Sequence, residues 1–430
     1  MAAEKTRALA IRLAPLIFAA GLAHLGFQIW KHWDVVTLDF RFFWLAGDFW
    51  TKGESPYSAQ YAAEAASRFQ SLRGAIWYYT PNWFPLAAIF SLADPLTASR
   101  SWLAANAVLL LASAALNAAA FRSLRAASSL ADFNAPTASF VEALPPRALF
   151  FLFAGAMALS QAAGNTLHLG QSSMLIYFGA SLLTFGAVRG RLSPGAVGLA
   201  ILMLKPQIGI LICAGLVFSA YGRRAIALAA LASIAMAAPA FIATPPDQLV
   251  ADFARGVGLY TDQLYNMPPA VTGLRHLVWV GGGVDMGSAF YLMLALAFAC
   301  AFGLGGAMRR EPLKTADLIA AAIAIAVMTS PLHVYDFTLL GAIALYAAAL
   351  PPPAGAVAIS AFALLWRAGN LPHPDILDSA AVTYYPGSAY ASVAAMMIAG
   401  ALVFSLREKG RQPPAPARLA ELGQFAPTGG

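Results

Sequence analysis

Charge is scarce in this sequence. Only 11% of its 430 residues are charged and 60% are hydrophobic, whereas about a quarter of an ordinary soluble domain is charged. No segment is long enough for a separate soluble domain. Apolar runs recur from one end of the chain to the other, and many are about 15–25 residues long, which matches the bilayer core. The sequence predicts an all-α polytopic membrane protein with about 11–13 transmembrane or re-entrant helices and short loops on the outer face.

Cysteine and concentrated basic charge are also scarce. The two cysteines, Cys213 and Cys300, both lie inside apolar runs, which favours inert packing residues over a disulfide or a metal pair. The net charge of +7 is spread over short loops and forms no basic stripe, so the pattern does not indicate a nucleic-acid partner. We expect membrane lipids around the chain, and neither a cofactor nor a metal ion.

Basic residues predict which ends of the helices face the cytoplasm. Lys5 and Arg7 precede the first apolar run, which we interpret as a retained helix; a cleaved signal peptide is the rival interpretation. Further basic residues occur at 223–224, 309–310 and 407–411, and each of these segments is predicted to be cytoplasmic. The loops that this alternation places on the outer face are 31–80, 244–285, 331–336 and 369–386.

These signals predict one membrane domain over residues 1–406, in the inner (plasma) membrane, with both termini in the cytoplasm. Residues 407–430 are rich in Pro, Ala and charge and are expected to form a disordered cytoplasmic tail.

Two arrangements fit the middle of the chain. Twelve full crossings give the right parity but place five arginines outside, at positions 122, 125, 147, 189 and 191. The positive-inside rule favours the alternative, in which residues 81–93 dip in and return and the run at 193–219 breaks at Lys205-Pro206. Proline favours a break there because it lacks a backbone N–H. Lys205 would then face outward, near Asp39.

Six short blocks along the chain carry a resemblance to a known family. They are Asp39-Phe40 with Phe43, Ala46-Gly47 and Pro56-Tyr57; Tyr78-Tyr79-Thr80-Pro81; Leu169-Gly170-Gln171; Leu204-Lys205-Pro206-Gln207; Asn266 to Arg275; and Ser330-Pro331 to Tyr335-Asp336. On these blocks the chain resembles glycosyltransferase family 87, polytopic enzymes of the GT-C type that use polyprenyl-phosphate sugars. The resemblance implies a GT-C-type fold over about residues 34–350.

The chain departs from the family pattern at three places. Thr80 stands in Tyr79-Thr80-Pro81 where members often have Tyr-Pro-Pro, and Ser172 follows Gln171 where Asn is usual. His333-Val334-Tyr335-Asp336 replaces the paired histidines of the family's phosphatidylinositol-mannoside mannosyltransferases. The resemblance therefore carries over the reaction class, while the sugar and the acceptor stay open.

Asp39 is the candidate catalytic residue. A polyprenyl-phosphate sugar already carries its leaving group, so transfer needs a base for the acceptor hydroxyl, a cation for the departing phosphate and a pocket that aligns both. A carboxylate at a helix end among aromatic residues suits the base, and the resemblance strengthens that role. The alternative is a helix cap or an ion pair with Arg41, which is itself a candidate substrate ligand.

Lys205 and Arg275 are the candidate ligands of the donor phosphate. Lys205 lies in an apolar run just before a proline, where a helix break would add backbone N–H groups to its positive potential; snorkelling to a lipid headgroup is the alternative. Arg275 lies in an outer loop and is equally well explained as a surface arginine.

The remaining candidates are substrate ligands. His333 and Asp336 are three residues apart and share a helical face, so with Tyr335 they could hold sugar hydroxyls; the alternative is an N-terminal helix cap. Gln171 and Asn266 could bind sugar or phosphate, or could satisfy helix ends. Two ligands such as His333 and Asp336 do not make a metal site.

The sequence therefore predicts a membrane glycosyltransferase. It would move one sugar, mannose or another hexose or pentose, from a polyprenyl-phosphate donor to a hydroxyl of a lipid-linked or glycan acceptor at the non-cytoplasmic face. A transporter or flippase of polyprenyl-linked lipids is the alternative, because it too needs intramembrane cations and broken helices. The carboxylate beside an outer loop, together with the lack of an internal repeat, favours the transferase.

Overall fold

In the computed structural model, every regular element of the described residues is a helix. The structure describes residues 2–69, 77–127, 144–261, 268, 270–286, 289–307, 315–351, 353–371 and 387–411. The first ten α-helices are α1 Ala2–Lys31, α2 Phe40–Thr51, α3 Ala59–Arg68, α4 Phe84–Ser91, α5 Pro95–Ala127, α6 Pro146–Leu159, α7 Gln161–Leu169, α8 Ser173–Val188, α9 Leu192–Leu202 and α10 Pro206–Leu216. The next are α11 Ala220–Ala237, α12 Ala240–Ala243, α13 Pro246–Thr261, α14 Leu274–Gly282, α15 Ala289–Ala307, α16 Thr315–Thr329, α17 Gly341–Ala348, α18 Ala354–Trp366 and α19 Ser388–Arg411.

Three of these helices are long and apolar enough to cross a membrane: Glu4–Lys31, Pro95–Leu124 and Ser388–Leu406. A fourth span results if α6 and α7, which bend by 55° at Ser160, are counted as one. Several shorter apolar helices of 10–17 residues pack among them. The chain is an all-α polytopic membrane protein, as predicted, and the predicted total of crossings depends on how many of the shorter helices also span.

The predicted break at Lys205-Pro206 is confirmed. Helix α9 ends at Leu202 and α10 begins at Pro206, with Lys205 in a non-helical conformation between them. Pro206 occupies the first helical position, where its missing N–H would have no partner in any case. Lys205 is therefore held at the junction of two short helices rather than inside one long span.

Helix α5 shows which chain segments lie at opposite ends of the bundle. Its 33 residues span about 50 Å. Near its start, Ser99 Oγ accepts a hydrogen bond from the Thr37 N–H at 3.2 Å. Near its end, Arg189 Nε donates to Ser123 Oγ at 3.0 Å. The segment that precedes Asp39 and the arginine at the end of α8 are thus separated by the length of the bundle.

Two further helices bear on the predicted loops and tail. Helix α3 lies within the predicted loop 31–80, and the Ser58 hydroxyl accepts from the Tyr61 N–H at its start. Helix α19 continues to Arg411, past the predicted start of the tail at Arg407. Residues 412–430 and most of the predicted loop 369–386 lie outside the described residues.

Candidate active site

Asp39 lies just before α2 and is tied to the end of α7. Its backbone N–H donates to the Leu169 carbonyl at 2.8 Å. The next residue, Gly170, has φ +73° and lies so close to Thr37 and Phe40 that a Cβ there would collide with both side chains. Trp102 Nε1 donates to the Gly170 carbonyl at 2.9 Å. Only glycine allows this close approach, so the α7 turn and the Asp39 segment form one unit.

Gln171 joins Asp39 to Tyr335. Its Nε2 donates to Asp39 Oδ2 at 2.6 Å and to the Tyr335 hydroxyl at 3.2 Å. Its Oε1 accepts from the backbone N–H of Ser172 at 3.3 Å. Residues from three distant parts of the chain therefore share one hydrogen-bonded group, and Gln171 and Tyr335 are buried within it.

Lys205 forms a buried ion pair with Asp336. Its Nζ lies 2.5 Å from Asp336 Oδ1, and the two side chains are only 6% and 5% exposed. The same oxygen accepts from the Ser173 hydroxyl at 2.6 Å. Asp336 Oδ2 accepts from the His333 backbone N–H at 3.3 Å. The bond from His333 caps the start of the 3₁₀-helix Val334–Leu340, as the cap alternative predicted, and the same carboxylate also holds the lysine.

Tyr335 connects the ion pair to the Gln171 group. Lys205 Nζ lies 5.7 Å from the centroid of the Tyr335 ring, a cation–π distance. The His333 ring packs 5.1 Å from the same ring, and its Nδ1 donates to the Ala270 carbonyl at 3.1 Å. Burial lowers the pKa of His333 from its ordinary value. We name the five residues Asp39, Gln171, Lys205, Tyr335 and Asp336 the outer cluster.

Asp39 differs from its partners in the outer cluster because it is partly exposed, whereas the other four are buried. Many protein atoms still surround its carboxyl group, and this burial raises the pKa of Asp39 to about 6. The hydrogen bond from Gln171 and the charge of Lys205 act in the opposite direction. Within the part of the chain that the structure describes, no group hydrogen-bonds to its second oxygen, Oδ1.

Two neighbours of this cluster were not predicted as site residues. Ser173, which donates to Asp336, follows Ser172, the residue at which the chain departs from the family pattern. Tyr79 belongs to an aromatic wall, with its ring 5.0 Å from Phe43 and 5.4 Å from Trp83. Burial and the nearby Asp39 carboxylate raise the pKa of Tyr79. Their positions in the sequence could have indicated them: Ser173 begins α8 just after Gln171, and Tyr79 belongs to one of the six blocks that resemble family 87.

The sequence profile of glycosyltransferase family 87 matches residues 77–332. The match covers more than half of the 430 residues. The chain belongs to glycosyltransferase family 87. No curated protein matches the chain. The protein is therefore a membrane glycosyltransferase, with a sugar donor and an acceptor as its substrates.

The matched range includes only part of the outer cluster of this family 87 member. Gln171 and Lys205 lie inside it, whereas Asp39, Tyr335 and Asp336 lie outside. The candidacy of Asp39 as a catalytic residue therefore rests on its geometry and on the resemblance of its own block, and the profile match does not bear on it.

Three further candidate residues are not joined to the outer cluster by the contacts described above. Arg275 Nη2 lies 3.0 Å from Asp285 Oδ1, and the arginine is buried while the aspartate is half-exposed. Arg41 Nε donates to the Val36 carbonyl at 3.0 Å, and its guanidinium lies 5.5 Å from the Phe69 ring centroid. Asn266 lies outside the described residues.

Proposed function

We propose that this family 87 glycosyltransferase transfers a single sugar from a polyprenyl-phosphate donor to a hydroxyl group of a lipid-linked or glycan acceptor, with Asp39 as the general base. One observation carries the proposal. Asp39 is fixed through Oδ2 by Gln171, its Oδ1 is unbonded within the described residues, and the ammonium of Lys205 lies in the same cluster. A base and a cation thus belong to one cluster, connected through Gln171 and Tyr335.

The transfer step follows from this arrangement. Asp39 Oδ1 accepts the proton of the acceptor hydroxyl while the acceptor oxygen forms a bond to the anomeric carbon of the sugar. The bond from that carbon to the phosphate oxygen breaks, and polyprenyl phosphate leaves with the bonding electrons. Burial favours proton acceptance, because a pKa near 6 makes the carboxylate a better base than an ordinary aspartate.

Lys205 is proposed to bind the donor phosphate. Its ammonium has three N–H donors, and Asp336 uses one of them. Lys205 directly precedes α10, so the positive potential of that helix start adds to that of the ammonium. Negative charge grows on the phosphate as the sugar departs, so the lysine stabilises the transition state more than the bound donor. Arg275 is proposed as a second ligand of the phosphate, reached by exchange with the half-exposed Asp285.

The sugar and the acceptor are proposed to lie against the residues around Tyr335. His333, Tyr335 and Asp336 would contact hydroxyl groups of mannose or of another hexose or pentose. Arg41 and Asn266 are proposed as further substrate ligands. Neither a cofactor nor a metal ion is part of this proposal.

The proposed location of the reaction is the non-cytoplasmic face of the inner (plasma) membrane. The outer cluster lies with the start of α5, whereas Arg122 lies near the end of that helix. Arg189 lies at that same end, because it bonds Ser123. Arg191 is close to Arg189 along the chain, and its carbonyl accepts a hydrogen bond from the Tyr221 hydroxyl. The positive-inside rule then assigns the arginine end, and both chain termini, to the cytoplasm.

A panel of radiolabelled polyprenyl-phosphate sugars, offered with lipid and glycan acceptors to the purified protein in vesicles, tests the proposal. We expect one donor to transfer its sugar, and the Asp39→Asn variant to lose that transfer. The transporter alternative predicts movement of the labelled lipid between leaflets without transfer, to the same extent in both proteins. That result would replace the proposed function.

A further inference from the structure

We propose that Gln171 is the positioning residue of the general base and donates no hydrogen bond to a sugar hydroxyl. This inference rests on the role proposed above for Asp39. It assigns to Gln171 the task of fixing which carboxylate oxygen receives the proton and of keeping that carboxylate ionised.

Both N–H donors of Gln171 are used within the protein. A carboxamide has two N–H donors, and here one goes to Asp39 Oδ2 at 2.6 Å and the other to the Tyr335 hydroxyl at 3.2 Å. Its oxygen accepts from Ser172, and the side chain is 3% exposed. A sugar hydroxyl could gain a donor from Gln171 only by displacing Asp39 or Tyr335 from it, and displacing Asp39 would release the base.

The backbone carries the donor and the carboxylate on one rigid unit. Asp39 bonds to the carbonyl of Leu169, two residues before Gln171. Gly170 between them adopts the left-handed conformation, and Trp102 holds its carbonyl. Any movement of the α7 turn therefore moves Asp39 and Gln171 together, so their hydrogen bond keeps its geometry while substrates enter and leave.

The position of Gln171 has two chemical consequences. With Oδ2 engaged, Oδ1 is the oxygen left to accept the acceptor proton, so the direction of transfer is fixed. A neutral N–H donor also stabilises the anionic carboxylate over the acid, opposing the burial that favours protonation. The titratable groups of the cluster around Asp39 are Lys205, Asp336, Tyr335, Tyr79 and His333.

The test compares Gln171→Met with wild type and with a matched control. Methionine keeps the length of the side chain and removes the donors. We expect kcat to fall about tenfold, roughly the value of one hydrogen bond, and the acid limb of the kcat/KM profile to move to higher pH. The donor and acceptor KM values should stay within about twofold, because uniform substrate binding is not affected. Gln161→Met, at the opposite end of α7, should leave the pH profile unchanged.

Gln171→Asn keeps the amide on a shorter side chain and covers the case in which the methionine variant does not fold. It should fall between wild type and Gln171→Met in rate and in pH shift. A donor KM raised tenfold or more, with an unmoved acid limb, would make Gln171 a sugar ligand and overturn the inference while leaving Asp39 as the base. Wild-type activity in Asp39→Asn would instead overturn the proposed function, so the two failures can be told apart.

Discussion

Two buried polar clusters in this protein contrast with each other. The outer cluster contains three charged side chains, and one of them, the carboxylate of Asp39, is partly exposed. The second, which we name the core cluster, consists of Asn117, Tyr177 and Ser181, none of them charged. Asn117 Nδ2 lies 3.1 Å from the Tyr177 hydroxyl and 3.0 Å from Ser181 Oγ, and 3.5 Å from the Gly341 carbonyl.

Both clusters contact helix α8, yet they differ in chemistry. Ser173, which donates to Asp336 of the outer cluster, lies about one turn of α8 before Tyr177 of the core cluster. In the core cluster a neutral amide joins α5, α8 and α17, which is how polar side chains hold helices together where water is absent. In the outer cluster, buried charges that are expensive to desolvate are kept beside an unbonded carboxylate oxygen, which is typical of a functional site.

The largest expected effect is that of Asp39→Asn. The amide cannot accept the proton of the acceptor, and loss of a general base lowers the rate by about 10²–10⁴. The matched control is Asp34→Asn. Asp34 lies a few residues before Asp39, is 87% exposed and pairs with Arg100. Initial rates of sugar transfer and Tm measure both variants. Folded Asp39→Asn protein with the rate of the control would remove Asp39 from the chemistry.

The next effect is that of Lys205→Met. We expect kcat/KM for the donor to fall about 10²-fold, as when one stabilising group of a transition state is lost. Removal of one partner also leaves the buried Asp336 carboxylate uncompensated, which costs about 3–5 kcal/mol of stability. Lys205→Arg should rescue activity only in part, because its donors point differently.

The double variant Lys205→Met/Asp336→Asn separates the two effects of the lysine. It removes both charges, so Tm should recover most of the loss while transfer stays low. Recovery of transfer together with Tm would show that the ion pair stabilises the fold and that the lysine does not act on the donor.

A smaller effect is expected in the core cluster. Asn117→Val removes the amide that joins three helices and should cost about 1–2 kcal/mol, the value of hydrogen bonds between membrane helices. Because this cluster carries no charge and no substrate contact is proposed for it, kcat should stay within about twofold. The measurements are Tm and the initial rate of transfer. A large fall in rate at unchanged Tm would mean that the core cluster acts on the reaction rather than on stability, and would contradict the proposed difference between the clusters.

The smallest effect is expected at Arg275. Its guanidinium is already engaged by Asp285, and partly exposed ion pairs contribute little, about 0–1 kcal/mol. Arg275→Gln should raise the donor KM about threefold or less, whereas Lys205→Met acts on kcat as well. A donor KM raised more by Arg275→Gln than by Lys205→Met would make Arg275 the main phosphate ligand.

Much of the fold follows from local sequence signals. Apolar runs and basic flanks predicted the helical membrane protein, and Pro206 predicted the helix break at Lys205, because both signals depend on neighbouring residues alone. The helix start at His333–Asp336 shows the limit of such signals. The sequence left a cap and a functional role as alternatives, and in the structure one oxygen of Asp336 caps the backbone while the other contacts Lys205.

The contacts of the candidate site required the structure. Gln171 meets Asp39 across 132 positions of the chain and Tyr335 across 164, and no local pattern encodes such distances. For the same reason the sequence did not indicate that Ser173 bonds Asp336, 163 positions away. The polar residue types were visible in the sequence, and their partners were set by helix packing.

The pH dependence of kcat/KM, measured for wild type and for Asp39→Asn, tests the central claim most directly. Burial raises the pKa of Asp39 to about 6, and a base works only in its deprotonated form. Activity of the wild type should therefore fall as the pH drops below about 6, and it should be constant above. The residual activity of Asp39→Asn should lack this acid limb. An acid limb that persists unchanged in Asp39→Asn would contradict the assignment of Asp39 as the general base.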